Sequence, residues 1–319
     1  MFDMRKFAVL CIFLIAVFPV FADTASFLIL YTNDMHDYIK PGPDNIGGVA
    51  YLAGYVASVR AERDDVMLLD GGDVMEKGDM VAYETQSRVM YEAMKKMGYT
   101  AGAIGNHDLD QGVAYVNECS ALAGYPLLCI NHFNEDGTLA FTPSTIVDVK
   151  GVKIGIIGMT NIRTSIENDG SLLAEEAKRL EPQVDMTVVV AHIGSRECAE
   201  LSRYAPEVDL FLSAHTHELL KEPVVVPETK ALIVQAGHYS RHIGHLEVTV
   251  DLDTKTIAAY DGKIVEMAHD TIKPDVEMIS WIKQMEQEYC PEATEIVGKA
   301  SAAIRATGVA LLAANAIKE

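Results

Sequence analysis

Basic residues are scarce in this chain of 319 residues: 26 Lys and Arg stand against 46 Asp and Glu, a formal charge of −20. Sequence-independent grip on a nucleic-acid polymer depends on neutralising its phosphates with Lys and Arg, so the general surface is unsuited to it. Any phosphate the protein handles has to be met locally, by metal ions or by a small basic site. Cysteine is sparse too, with five in all, and the spacing of Cys119, Cys129, Cys198 and Cys290 matches no zinc motif. In an oxidising compartment these four could pair, but their spacing dictates no connectivity. The one long uncharged run, residues 7–21, falls short of a membrane span, which takes about 20 apolar residues. Internal repeats and low-complexity tracts are missing as well.

That apolar run has another reading. Arg5-Lys6 precedes it, and Ala22 with Val20 two residues before it closes it. A basic start, an apolar middle and a small-residue end describe a secretory signal peptide over residues 1–22. An uncleaved anchor or a buried core helix is the alternative. No lipoprotein-type Cys follows. The expected product is exported, periplasmic or extracellular, with no stable membrane insertion after cleavage. Cleavage removes Asp3, Arg5 and Lys6, a net +1, so the formal charge moves from −20 to −21.

With 49% hydrophobic residues the chain can bury a substantial core. Apolar, β-branched runs recur at 27–31, 66–69, 126–130, 153–157, 186–191, 208–213, 231–236 and 243–250. Helix-like stretches lie between many of them, at 48–60, 79–97, 111–122 and 196–204. Strands apolar on both faces, alternating with helices, predict an α/β fold with covered sheets. From about Ala231 to Asp261 strands follow one another without helices, and Asp261-Gly262 reads as a turn, which predicts antiparallel pairing at one edge. The sheet system is therefore expected to be mixed. Residues 269–274 read as a linker and 275–288 as a helix opened by Pro274-Asp275. An Ala-rich stretch at 300–316 follows.

What the chain does have is a set of five polar clusters, each where an apolar run gives way to small or polar residues. They are Asp34-Met35-His36, Gly71-Gly72-Asp73, Gly105-Asn106-His107-Asp108, Ala191-His192 and Ala214-His215-Thr216-His217. Asp-x-His after a strand lets a carboxylate and an imidazole converge on one ion, although a surface turn would also carry it. Gly-Gly allows close backbone approach before Asp73, which is placed to bridge two cations. Asn106 offers a carbonyl oxygen to a hard or borderline ion, while its neighbour His107 points elsewhere and can act on a substrate, with Asp110 able to orient the imidazole. His192 ends a buried-looking strand, a costly position without a partner. His-x-His at 215 and 217 can serve two neighbouring ions. Taken together these are the donors of a two-metal hydrolytic centre.

In these motifs the chain resembles the calcineurin-like metallophosphoesterases, specifically the 5'-nucleotidase and UDP-sugar hydrolase branch. The matching segments are Thr32 to His36, Gly71-Gly72-Asp73, Gly105 to Asp108 with Asp110, Ala191 to Gly194, Ala214 to His217, Val234 to Gly237 and Gly244-His245-Leu246. The resemblance implies a four-layer α-β-β-α sandwich of two mixed sheets with the metals at strand ends. It implies one ion on Asp34, His36, Asp73 and His217, and another on Asp73, Asn106, His192 and His215. His107 would be catalytic and Asp110 its partner. The two divalent ions, Zn, Mn, Fe or Co by their mixed N/O donors, would polarise a phosphoryl oxygen and hold the attacking hydroxide between them.

The implied division is a signal peptide at 1–22, a catalytic domain at 23–268, a linker and linker helix at 269–290, and the start of a truncated carboxy-terminal domain at 291–319. Since that domain carries the nucleoside pocket in the branch, no substrate-binding residues are assigned. The expected activity is hydrolysis of small phosphate esters, nucleotides foremost. The alternatives are a 2',3'-cyclic-nucleotide phosphodiesterase, a broad phosphoesterase, or a non-catalytic metal-binding remnant. Two departures stand out: Asp37 replaces the usual Gly, which would add a carboxylate near the first ion, and Asp108 replaces the usual Glu.

Overall fold

A computed structural model describes residues 23–76 and 78–294. The expected signal peptide and the Ala-rich tail lie outside the described residues. The chain opens with β1 (Thr24–Thr32), β2 (Val66–Asp70), β3 (Ala101–Ala103) and β4 (Leu127–Leu128), all parallel. It then builds a second sheet from β5 (Ser144–Val149), β6 (Val152–Met159), β7 (Met186–Ala191), β8 (Leu210–Ser213), β9 (Val224–Val225) and β10 (Leu232–Val234). Finally β11 (His242–Asp251) and β12 (Thr256–Glu266) return to the first sheet. The strand orders are β12-β11-β1-β2-β3-β4 and β5-β6-β7-β8-β10-β9.

The side-chain alternation of the strands sorts the core into three layers. Phe27, Ile29 and Tyr31 of β1 share the inter-sheet layer with Val188 and Val190 of β7. Leu28 and Leu30 face the other way, toward α1 (Val49–Glu62), α2 (Met80–Glu84), α3 (Arg88–Met97) and α4 (Val113–Ala123). Val189 and Phe211 pack under α5 (Ile166–Leu180) and α6 (Ser195–Leu201). Strands buried on both faces explain the continuous apolar runs, and the result is the expected four-layer sandwich.

Several local expectations differ from what forms. The strand at Leu232–Val234 does not join an antiparallel edge with β11; it pairs in parallel with β8 in the other sheet. The chain between them winds through a site loop and the short β9, so this crossover needs no helix. The antiparallel run consists of β12, β11 and β1, while β10 is antiparallel only to the short β9. Asp261-Gly262 lies inside β12 rather than in a turn. The turn sits at Asp251, whose Oδ1 accepts from the N–H groups of Asp253 and Thr254. The helix expected over 79–97 is two helices, broken where Gln86 and Ser87 take left-handed φ values of 50° and 64°. Helix α5 is an addition, opened by Ser165, whose side chain accepts from Asn168 N–H.

After β12, helix α7 (Val276–Tyr289) begins as predicted, with the Asp275 carboxylate accepting from Met278 N–H. It packs on the first helical layer: Asp275 N–H donates to the Ala50 carbonyl at 2.8 Å, and Met278 and Ile282 join its core. A short α8 (Pro291–Thr294) follows.

Candidate metal centre

All five polar clusters leave the carboxyl ends of parallel strands, where open α/β sheets expose loops to ligands. Asp34 and His36 follow β1, Asp73 follows β2, and Asn106 and His107 follow β3. From the opposite sheet, His192 follows β7, and His215 and His217 follow β8. Hydrogen bonds between the sheets draw the two sets together. His192 Nδ1 lies 2.9 Å from the Gly71 carbonyl oxygen, and His215 N–H donates to Asp34 Oδ2 at 3.0 Å.

Three groups of possible donors result, the ligand atoms within each lying within 4.8 Å of one another: Asp34, His36 and His217; Asp73, His192 and His215; and the more exposed Glu76, His107 and Asp110. Asp73 joins the first two. Its Oδ2 lies 3.1 Å from His192 Nε2 and 3.7 Å from His36 Nε2. Its Oδ1 is committed elsewhere, accepting from His107 N–H at 2.9 Å. A single oxygen thus faces both groups.

The backbone is shaped for this purpose. Asp34, His36, Asp73, His215 and His217 all have φ between 47° and 69°. Left-handed backbone is uncommon outside glycine and costs on the order of 1–3 kcal/mol where the surroundings impose it. Five such residues in one spot mark conformations selected for where the side chains point. Gly105 is required sterically: a Cβ there would come within 2.0 Å of Asp73 Oδ1.

The donor set fits divalent cations on three observations. First, the buried Asn106 Oδ1 has no hydrogen-bond partner. His192 Nε2, though 3.1 Å from Asp73 Oδ2, is likewise buried without a hydrogen bond. Second, the tautomers are fixed from behind, as the Met75 and Gly71 carbonyls face Nδ1 of His36 and His192 and leave Nε2 inward. Third, burial lowers the pKa of His36 and His215, favouring the neutral imidazole that ligates metals. His192 goes the other way: burial lowers it, but the Asp73 and Asp34 carboxylates raise it to about 9. Asp73 is raised by burial yet drawn by His192 down to about 2. The pair keeps the carboxylate charged and facing inward.

Several residues given no role at the sequence level hold these donors. Asn33 donates through Nδ2 to Asp34 Oδ2 and to the Gly237 carbonyl, both at 2.6 Å, and accepts from Ala236 N–H. The 234–237 motif thereby braces the first group. Gln235, with its amide turned to satisfy both ends, accepts from His217 and Glu218 N–H at 3.1 Å. Asp108 is more than a mild substitution: its carboxylate accepts from the N–H groups of Asp73, Val74, Met75 and Gly105. Burial and the neighbouring Asp73 raise its pKa to about 6. His238 stacks on His217 with centroids 4.7 Å apart, and Tyr239 meets both edge-on.

Asp37 corrects an expectation. Its carboxyl turns away from the donor groups, and Oδ2 accepts from Glu76 N–H at 2.6 Å and Ser87 Oγ at 2.8 Å. Burial raises its pKa to about 7. His107 stands apart from the first two groups. Its Nδ1 is 3.4 Å from Asp110 Oδ2, as the spacing suggested, and is also in contact with Glu76 Oε2, which the sequence did not single out.

The family profile that matches residues 27–219 is described as calcineurin-like phosphoesterase. Endonuclease YhcR of Bacillus subtilis is 26% identical over 86% of this chain, which spans 26% of that protein. The 5'-nucleotidase of Rattus norvegicus is also 26% identical, over 85% of this chain and 54% of its own length. Among solved structures, a 5'-nucleotidase precursor of Thermus thermophilus superposes with a TM-score of 0.74 at 23% identity, covering 86% of this chain and 61% of that one. The chain thus spans about half the length of the curated 5'-nucleotidases it matches.

Proposed function

Because the chain belongs to the calcineurin-like phosphoesterase family, we propose that it hydrolyses small phosphate monoesters, 5'-nucleotides foremost, at a dinuclear centre. One ion would be held by Asp34, His36, Asp73 and His217, the other by Asp73, Asn106, His192 and His215. The single observation that carries this reading is Asp73 Oδ2, one carboxylate oxygen facing both donor groups. Divalent ions bound there supply Lewis acidity to phosphoryl oxygens and bring the pKa of water toward neutrality.

The chain's own residues do the rest. With Nδ1 of His107 engaged by carboxylates, Nε2 is the nitrogen that meets the substrate. It would donate a proton to the departing ester oxygen as that P–O bond breaks and the bond from the water oxygen forms, the water having released its own proton to solvent. The loop carbonyls behind His36 and His192 keep the inward nitrogens aimed. Mixed N/O donors suit Zn, Mn, Fe or Co.

Substrate choice rests on similarity to 5'-nucleotidases and on charge. An acidic surface opposes a polymeric substrate, in spite of the resemblance to an endonuclease. For the division of the chain we keep 23–268 as the catalytic unit and 269–290 as a connector whose helix packs on the first helical layer. Export follows from the pattern at residues 1–22, and a venom 5'-nucleotidase of Gloydius brevicauda among the relatives is in keeping with it. Among the described residues no helix is long and apolar enough to cross a membrane.

The test compares turnover of AMP, an aryl phosphate and an aryl phosphodiester, with and without added Mn or Zn. Metal-dependent release of phosphate from AMP in preference to the others is expected. Preference for the diester would make the enzyme a phosphodiesterase, and no turnover by metal-loaded protein would end the enzymatic reading.

A further inference from the structure

We propose that Glu76 is the principal positioning residue for His107, ahead of Asp110, and that Asp37 fixes Glu76 in its turn. The inference rests on His107 acting at the substrate as set out above. Two carboxylates compete for His107 Nδ1. Both contacts are ion pairs: Glu76 Oε2 is in direct contact with Nδ1, whereas Asp110 Oδ2 is 3.4 Å away. The Asp110 side chain is 67% exposed against 47% for Glu76, so solvent screens the Asp110 contact more.

The supports of the two residues differ as well. Asp110 rides on a single 3-10 turn (Asp108–Gln111). Glu76 closes a loop fixed at every preceding amide. The N–H groups of Asp73, Val74 and Met75 are bound by the Asp108 carboxylate, and that of Glu76 by Asp37 Oδ2 at 2.6 Å. Asp37 is itself 4% exposed and anchored by Ser87 Oγ on the same oxygen. Glu76 takes a left-handed φ of 74° beside this contact.

The same short loop therefore carries three tasks. It presents Asp73 to both donor groups, offers the Met75 carbonyl to His36 Nδ1, and sets Glu76 against His107. A carboxylate acting through a histidine in this way changes the rate without building the metal site. Loss of such supporting partners typically costs about 10- to 100-fold.

The experiment uses the metal-loaded protein and the variants Glu76→Ala, Glu76→Gln, Asp110→Asn and His107→Asn. Steady-state kinetics on AMP are paired with isotope-edited imidazole spectra, in which His107 is assigned by its loss in His107→Asn. Glu76→Ala is expected to lower kcat by about 10- to 100-fold with KM and metal content little changed. Glu76→Gln, which keeps an acceptor oxygen, should recover part of that. The His107 Nδ1–H signal should shift or vanish in Glu76→Ala and persist in Asp110→Asn. The reverse pattern, with Asp110→Asn moving the signal and Glu76→Ala leaving it in place, overturns the proposal. If no variant and not even the parent hydrolyses AMP, the functional reading fails, while the spectra still decide which carboxylate holds the imidazole.

Discussion

Asp34, His36, Asp73 and His192 are at most 2% exposed, whereas the side chains of His107, Glu76 and Asp110 are 25%, 47% and 67% exposed. The two regions adjoin, since the His36 and His107 rings lie 5.4 Å apart edge to face. Their supports differ only in part. Main-chain hydrogen bonds and left-handed backbone serve both regions, in Asp34, His36 and Asp73 on one side and Glu76 on the other, but His107 itself meets its carboxylates side chain to side chain. Groups that must hold a cation in one geometry benefit from rigidity and exclusion of water. A group that must take up and give away protons needs a route to solvent. The candidate donors are not uniformly buried, however: the His217 side chain is 29% exposed against 25% for His107, and His215 is exposed as well.

The sharpest way to break this contrast is to remove the shared oxygen. Asp73→Asn should lose bound metal and turnover together, by about 10⁴-fold or more in rate; elemental analysis showing full metal occupancy would refute the shared role. His107→Asn should lower kcat by about 10²- to 10⁴-fold while metal content stays at the parental level. Metal loss in that variant would move His107 into the buried set. Asp108→Ala strips the acceptor from four amides at once. It should cost roughly 3–5 kcal/mol in urea unfolding, since each stranded buried donor costs about 1–3 kcal/mol and solvent reaches some of them.

Chelation tests the same contrast by ligand. At metal concentrations about 100 times Kd, binding adds about 2.7 kcal/mol, so Tm should fall on chelation in the parent and in His107→Asn, but not in Asp73→Asn. The smallest effect lies at the far end of β8, where Asp209 accepts from Thr187 N–H and burial raises its pKa from 3.8 to about 7. A raised carboxyl pKa means that the folded state binds the proton more tightly. Its contribution to stability is full below about pH 4 and disappears as pH rises through about 7. Asp209→Asn should remove that slope, gaining on the order of 1 kcal/mol relative to the parent at pH 8 compared with pH 5, after allowance for screening. Urea midpoints at the two pH values would reveal it, with turnover unaffected.

The candidate donors stand out in the sequence because each sits directly after an apolar strand, so local pattern alone draws attention to Asp34, His36, Asp73, Asn106, His192, His215 and His217. Their gathering in one place follows from the parallel strands sharing one direction. The supporting residues were not legible, because nothing local distinguishes them. Asn33 acts across roughly two hundred positions on Gly237, and Asp108 acts back on the 73–75 amides. Asp37 was misjudged for the same reason: sequence proximity to His36 suggested the ion, but the loop carrying Glu76 and the Ser87 hydroxyl claim its carboxyl. In the fold, strand positions could be read from β-branched runs. The partner of Leu232–Val234 could not, because pairing direction depends on the path of the preceding loop.

One feature of the topology bears on how the protein is made. Strand β1, the first strand among the described residues, lies between β2 and β11, and its residues 24–31 pair with 244–251. A growing chain that has reached His217 already contains all seven proposed donors, yet β1 still shows an unpaired edge. Asp34 and His36 are therefore seated in a finished sheet only when the final hairpin is delivered. Synthesis order makes the centre one of the last things to assemble, long after its earliest ligands have been translated.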